Sequence, residues 1–403
     1  MQSIRSGVLA FALLSLCLPL HSEDEELEKP ETSHEEISVV LTRTDAVPQE
    51  SVEGATDTYF EGYIQALVDM HYYEYSVIVL VKNRKVWLAN LPKNKLTANS
   101  IVSFVKDIPG VNEVIVLNCV PAANEEMREK YVRRPQLNGI WFPQMTVLFQ
   151  PLLADPREVG YTLGYRAGDH VIGVKCIGIS LGDDFPIYRW LNVLGHGDLQ
   201  IGIVAGIWSV FNLDPHPNYA DGTELVNTDF YFGIPLTYAI NQWSFRFRVY
   251  HISSHLGDEF LVNHPGFKRV NPSIEATDLY LSYQLTEGIR FYGGPGVIFH
   301  SDPSYPEKPP LYLQYGTEAR FWGCKFVKQR LFGTCFFAMH LRNMQYLHWN
   351  FDGTYRVGYE FSKLAGAGRK FRFYAGYHHG YSLEGQFQKE RTHYYEFNLS
   401  YGF

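Results

Sequence analysis

The C-terminal residues alternate. Tyr395, Phe397, Leu399, Tyr401 and Phe403 fall on one side of an extended strand, and Glu396, Asn398, Ser400 and Gly402 on the other, because successive side chains of a strand point to opposite faces. The same period recurs upstream. Phe371, Phe373, Ala375 and Tyr377 oppose Arg372, Tyr374 and Gly376; Trp349, Phe351, Tyr355, Val357 and Tyr359 oppose Asp352, Thr354, Arg356 and Glu360. Leu311, Leu313, Tyr315 and Phe321 oppose Gln314, Glu318 and Arg320, while Trp243, Phe245, Phe247 and Val249 oppose Ser244, Arg246 and Arg248. Many runs exceed the ~5–6 residues of a sandwich strand and match a tilted membrane crossing. Lipid offers no partner to an open sheet edge, so the set predicts a mainly β protein, a closed antiparallel transmembrane barrel over 138–403. Residues 197–403 supply ten strands and 139–150 and 170–181 two more, giving about twelve, within a range of about ten to fourteen. With Phe403 at the periplasmic side, the turns near Ile240-Asn241, Thr286-Glu287, Lys325 to Gln329 and Leu364 to Gly368 fall there too. The longer connections 213–222, 257–272, 301–308 and 381–390 fall outside.

The N-terminal part has a different pattern. Residues 1–22 read as a secretory signal, with Arg5, the apolar run Val8 to Leu20 and a cleavage site at Leu20-His21-Ser22. That run is shorter than the ~20 residues a membrane helix needs. Residues 23–56 are acidic, with Pro, Ser and Thr but no apolar period, and are expected to be a disordered tether. A helix is expected over Tyr59–Met70, strands over Tyr75–Val81 and Val86–Leu91, a second helix over Thr97–Lys106, and a strand over Glu113–Leu117. This order, with Ile101-Val102-Ser103-Phe104-Val105 and Ile108-Pro109-Gly110-Val111-Asn112-Glu113-Val114, resembles a BON domain, a small α/β module of envelope proteins associated with phospholipid surfaces. The hairpin Asn83 to Asn90 lacks that family's glycine pattern. The module is placed at 57–120 in the periplasm, where a periplasmic partner could meet it, and 121–137 reads as a polar linker.

Composition agrees with this division. The 403 residues include 28 Tyr and 27 Phe, yet mean hydropathy is only −0.17, as expected when alternate residues face lipid between aromatic girdles. A net charge of −8 provides no basic field for nucleic acid. Cys17 would leave with the signal; of the remaining Cys119, Cys176, Cys324 and Cys335, the pair Cys324 and Cys335 flanks an expected hairpin turn and is the disulfide candidate in an oxidising compartment. Localisation in a Gram-negative-type outer membrane is expected, with no cofactor. The terminal Tyr401 and Phe403 resemble the signal by which barrel-assembly machinery recognises outer-membrane proteins. Outer-membrane lipids are the other expected partner.

Three segments carry a further resemblance: Phe247 to Glu259, Leu181 to Trp190, and Gly293-Gly294-Pro295-Gly296. Together they resemble an uncharacterised bacterial domain-of-unknown-function family of envelope proteins, which implies no activity. Parity along the first segment places His251, Ser253 and His255 on the lipid side, where polar groups are costly unless they lie near the interface or act there. The His-x-Ser pair resembles the outer-membrane lipid A deacylases; that resemblance implies Ser253 as nucleophile and His251 as base, oriented by Asp258 or Glu259. Ser254 follows the serine where those enzymes have Asn. Two alternatives stand. A bulge near Ser253 would turn the cluster into a loop anchor, or His251, His255 and Asp258 could hold a metal, although no metal site is assigned. Asp183-Asp184 reads as a turn or strand start, and the glycine run as a thinned wall. Arg246, Arg248, Glu318, Arg320, Asp352, Arg356, Glu360 and Arg372 should line the lumen and, being mixed in sign, pair across it. The leading expectation is an envelope-structural or narrow-channel barrel; the alternative is an outer-leaflet lipid acyl-ester hydrolase using Ser253 and His251.

Overall fold

The structure, a computed structural model, describes residues 49–72, 75–93, 95–108, 110–117, 138–143, 147–215, 222–270, 272–302, 311–326, 331–363 and 368–403. The expected signal, Cys17, Cys119 and the linker 121–137 lie outside the described residues. None of the described helices is long and apolar enough to cross a membrane.

Two helices and three strands form the N-terminal module: α1 (Gln49–Tyr72), β1 (Ile78–Lys82), β2 (Lys85–Ala89), α2 (Lys95–Lys106) and β3 (Glu113–Val116). The helix begins at Gln49 rather than Tyr59, within the stretch expected to be a tether. Phe60, Ile64, Val68 and Tyr72 recur every four residues along α1, and they bury against Ile101 and Val105 of α2 and against Val79, Val86 and Leu88 of the sheet. β1 pairs antiparallel with β2, which pairs parallel with β3. A second stripe on α1 seals the outer edge of β1. The backbone amides of Asn83, Val81 and Val79 donate to Asp57 (2.6 Å), Glu61 (2.9 Å) and Gln65 (2.9 Å). Four helical residues rise ~6 Å and two strand residues ~6.6 Å, so the two spacings match.

After the three-residue β4 (Gly139–Trp141), twelve strands form a meander: β5 (Tyr161–Asp169), β6 (Gly173–Val193), β7 (Gly197–Asn212), β8 (Glu224–Ile240), β9 (Trp243–Leu256), β10 (Ser273–Gln284), β11 (Ile289–Ser301), β12 (Leu311–Phe326), β13 (Leu331–Met344), β14 (Asp352–Lys363), β15 (Lys370–Tyr381) and β16 (Arg391–Gly402). Each pairs antiparallel with the next, and β16 pairs with β5, which closes the barrel. A short helix, α3 (Asp258–Asn263), follows β9. The module docks at the barrel end carrying the chain terminus: Tyr75 donates to Asp198 (3.3 Å), Lys93 lies 2.9 Å from His196, and Asp107 pairs with Lys325. We call this the module end and the opposite one the far end.

The expected strand total holds, but its first members differ. Residues 139–150 provide only β4, paired to β6; the strand that closes the barrel is β5. The apolar run around Leu148 and Phe149 instead enters the lumen. Asp183 and Asp184 lie inside the 21-residue β6, not at its start. Among the described residues Cys324, Cys335 and Cys176 form no disulfide. Their register explains the missing disulfide: Cys324 faces Gly333 and Cys335 faces Phe321, with an irregularity between them.

Residues 147–160 fill the barrel. Leu152, Ala154 and Phe149 are buried, and wall side chains grip the backbone of this plug. Arg290 donates to the carbonyls of Gln150 (3.0 Å) and Pro151 (3.2 Å), Arg356 donates to that of Leu153 (2.9 Å), and the Leu153 amide donates to Glu318 (2.9 Å). The remaining lumen charges pair: Arg246 with Glu158 (2.6 Å), Arg248 with Asp278 (2.7 Å), Arg320 and Arg372 with Glu360 (2.7 and 3.0 Å), Arg342 with Asp352 (2.6 Å) and Arg356 with Glu396 (2.7 Å). Charges removed from water need such partners. A cavity of about 120 Å³ remains between the plug and the far-end residues 382–388.

Candidate site on the barrel exterior

β9 keeps an unbroken register with β8 from Asn227↔Leu256 to Ile240↔Trp243, and with β10 from Ser273↔Ser253 to Tyr283↔Trp243. No bulge interrupts it, so the alternation of buried and solvent- or lipid-facing positions that starts at Trp243 carries through to the far end. His251 and Ser253 therefore share the exterior face with Phe247 and Val249. Ser254 points inward and donates to Asn227 (2.9 Å).

Cross-strand neighbours complete the site. His251 lies opposite Phe232 on β8 and Glu275 on β10; Ser253 lies opposite Phe230 and Ser273. The Nδ1 of His251 is 2.8 Å from Glu275 Oε1. The other oxygen of Glu275 bonds Nδ1 of His300, its opposite number on β11. One carboxylate on β10 thus bridges two imidazoles, on β9 and β11, beside an irregularity between Glu275 and Ala276. His255 lies further toward the far end, its ring centroid 5.6 Å from that of Phe230.

Chemically, the arrangement holds His251 by one nitrogen and leaves Nε2 for another task. Ser253 stands two residues along the same face, ~6.6–6.8 Å away between Cα atoms. Its hydroxyl makes no hydrogen bond to His251 in this structure; catalytic contacts commonly tighten only with substrate present. Asp258 and Glu259 are not the carboxylates on His251. Both lie in the first turn of α3, and the bonded position belongs to Glu275. His251, His255 and Asp258 form no metal cluster, and among the described residues no group of three or more His, Cys, Asp or Glu is placed to hold one.

Sequence reasoning missed Glu275, although its parity was readable: Leu281, Leu279, Thr277 and Glu275 alternate on one face of β10. The other candidate residues are placed as follows. Arg246, Arg248, Glu318, Arg320, Asp352, Arg356, Glu360 and Arg372 face the lumen in the pairs described above. At the module end Arg372 donates to the Phe403 carbonyl (2.8 Å), and the Arg369 guanidinium lies 4.9 Å from the Phe403 ring and 5.9 Å from that of Tyr401. In the glycine run of β11, a Cβ at Gly296 would meet the Tyr312 ring at 2.0 Å, so glycine there makes room for an inward tyrosine. His378 is buried against Thr354 (2.9 Å) while His379 faces outward.

A closed, plugged antiparallel barrel with titratable groups on its outer wall defines a protein of the outer-membrane β-barrel type. The chain belongs to the family described as "Protein of unknown function (DUF1207)", whose model matches residues 72–403. No curated protein matches it. Among solved structures, outer membrane phospholipase A from Escherichia coli is 11% identical, covering 60% of this chain and 91% of that chain at a TM-score of 0.39. The Salmonella typhi outer membrane phospholipase dimer with bound calcium is 13% identical over 63% and 92%, also at 0.39. The β domain of the Bordetella autotransporter BrkA is 10% identical over 60% and 99%, at 0.28.

Proposed function

We propose that this protein resides in an outer membrane and hydrolyses acyl esters of lipids in the leaflet at the far end of the barrel. The observation that carries this reading is the 2.8 Å contact of His251 Nδ1 with Glu275 on the exterior wall, two residues from Ser253. In this reading His251 Nε2 takes the Ser253 proton as Oγ attacks the ester carbonyl; the imidazolium then gives that proton to the leaving alcohol, and water, activated the same way, releases the fatty acid from the acyl-serine. Glu275 steadies the imidazolium. Phe230, Phe232 and Ile234 form an exposed apolar row on β8 beside the site, a bed for an acyl chain.

The test is fatty-acid release from mixed micelles of detergent and a diacyl phospholipid by the purified full chain. Release by wild type and not by Ser253→Ala, with both retaining a heat-modifiable barrel, supports the reading. Equal release from both refutes it.

A second reading rests on the filled lumen. The plug and its paired charges favour a closed, envelope-structural barrel over a channel, with the N-terminal part, BON-like in element order, held in the periplasm for contact with a partner there. Planar-bilayer recordings should show no unitary conductance.

A further inference from the structure

A second group of basic residues lies elsewhere on the outer wall, on strands β16, β15, β5 and β6. His379 and His393 are direct cross-strand partners, with ring centroids 6.5 Å apart. His170, just past β5, meets His393 edge-on at 5.2 Å. Arg391 shares the outward face of β16 with His393 and lies over the Tyr381 ring at 5.5 Å. On β6, Lys175 is level with Ala167, whose other neighbour is Tyr395. All five basic side chains belong to exposed residues.

The carboxylates nearby are occupied or lie off this face. Asp169 is turned inward and accepts from Thr392 (2.7 Å) and the Val171 amide (3.0 Å). Asp214 accepts from the Val174 amide, and Glu390 belongs to the connection before β16. Toward the module end the same wall turns aromatic: Tyr377 and Tyr395 pack at 5.1 Å, with Tyr165 and Phe397 beside them. Basic groups at the rim above tyrosines match the layering of a lipid interface, headgroup over glycerol and acyl chain.

We propose that this face binds the phosphate-bearing headgroup of an anionic lipid. A phosphate presents several acceptor oxygens to Arg391, Lys175 and the three imidazoles. Arg391 and Lys175 are the cations of the group, and the imidazoles supply further hydrogen-bonding nitrogens. The tyrosines hold the uncharged part of the lipid, so a lipid headgroup fits better than free phosphate.

Native mass spectrometry of the detergent-solubilised full chain tests this, using phosphatidylglycerol and phosphatidylcholine with the same acyl chains. Phosphatidylglycerol should be retained about fivefold or more over phosphatidylcholine. The Lys175→Gln/Arg391→Gln double variant should lose that preference, and His379→Lys/His393→Lys should strengthen it. Equal retention of the two lipids by wild type, or a preference unaltered in the Gln variant, overturns the proposal. Displacement by millimolar inorganic phosphate overturns the lipid assignment and leaves a simple phosphate site.

Discussion

Two groups of histidines face outward on this barrel, and they differ in one carboxylate. On β9–β11, Glu275 bonds both His251 and His300 and fixes each ring by its Nδ1. On β5, β15 and β16, His170, His379 and His393 touch only through their rings and share the surface with Arg391. A carboxylate turns an imidazole into an oriented base. Without one, the same residue type is part of a basic surface with no fixed hydrogen-bond partner on its ring. Residue identity therefore does not decide what an exterior histidine can do; its cross-strand neighbour does.

The largest expected effect comes from the proposed nucleophile in the ordered group. Ser253→Ala should reduce fatty-acid release by about a thousandfold or more, with anionic-lipid retention at the other group unchanged. Glu275→Gln should come next, cutting release by roughly a hundredfold or more, because the amide can offer His251 Nδ1 the wrong partner. If Glu275→Gln leaves release intact, the carboxylate is not what separates the two groups. A control for the common scaffold is Glu318→Ala. Glu318 is fully buried between Arg290, Arg320 and the Leu153 amide, so its loss should destabilise the barrel by about 3–5 kcal/mol, read as a lower heat-modification temperature, while both exterior groups keep their relative behaviour. The smallest effect should follow Ala167→Glu, which gives the carboxylate-free group an acidic neighbour. It should lower the anionic-lipid retention about twofold to fivefold.

Much of the barrel was legible from period alone. Wherever one face meets lipid and the other a polar interior, a strict alternation such as Tyr395 to Phe403 survives in the sequence. The plug was not legible, because Leu148, Phe149 and Leu152 are as apolar as a strand and are buried by the wall around them, not by a local partner. β6 hid Asp183 and Asp184 for a related reason: an unusually long strand containing Pro186 looks interrupted when read locally, although its register shifts only once there before resuming at Tyr188. The exterior site was half legible. His251 and Ser253 are neighbours along one strand, so parity placed them. Glu275 reaches His251 only through the register between β9 and β10, and neither strand states that register alone. The expectation of Asp258 or Glu259 failed because nearness in sequence stood in for nearness across a sheet.

The seal on β1 has a consequence for crowding. Asp57, Glu61 and Gln65 occupy the backbone donors that a foreign strand would otherwise bind, so the small sheet has β3 as its other edge and cannot extend in both directions. Copies brought side by side at one depth can meet, but a chain of modules linked strand to strand ends at each sealed edge. A helix stripe of three polar residues thus limits how far neighbours can grow together.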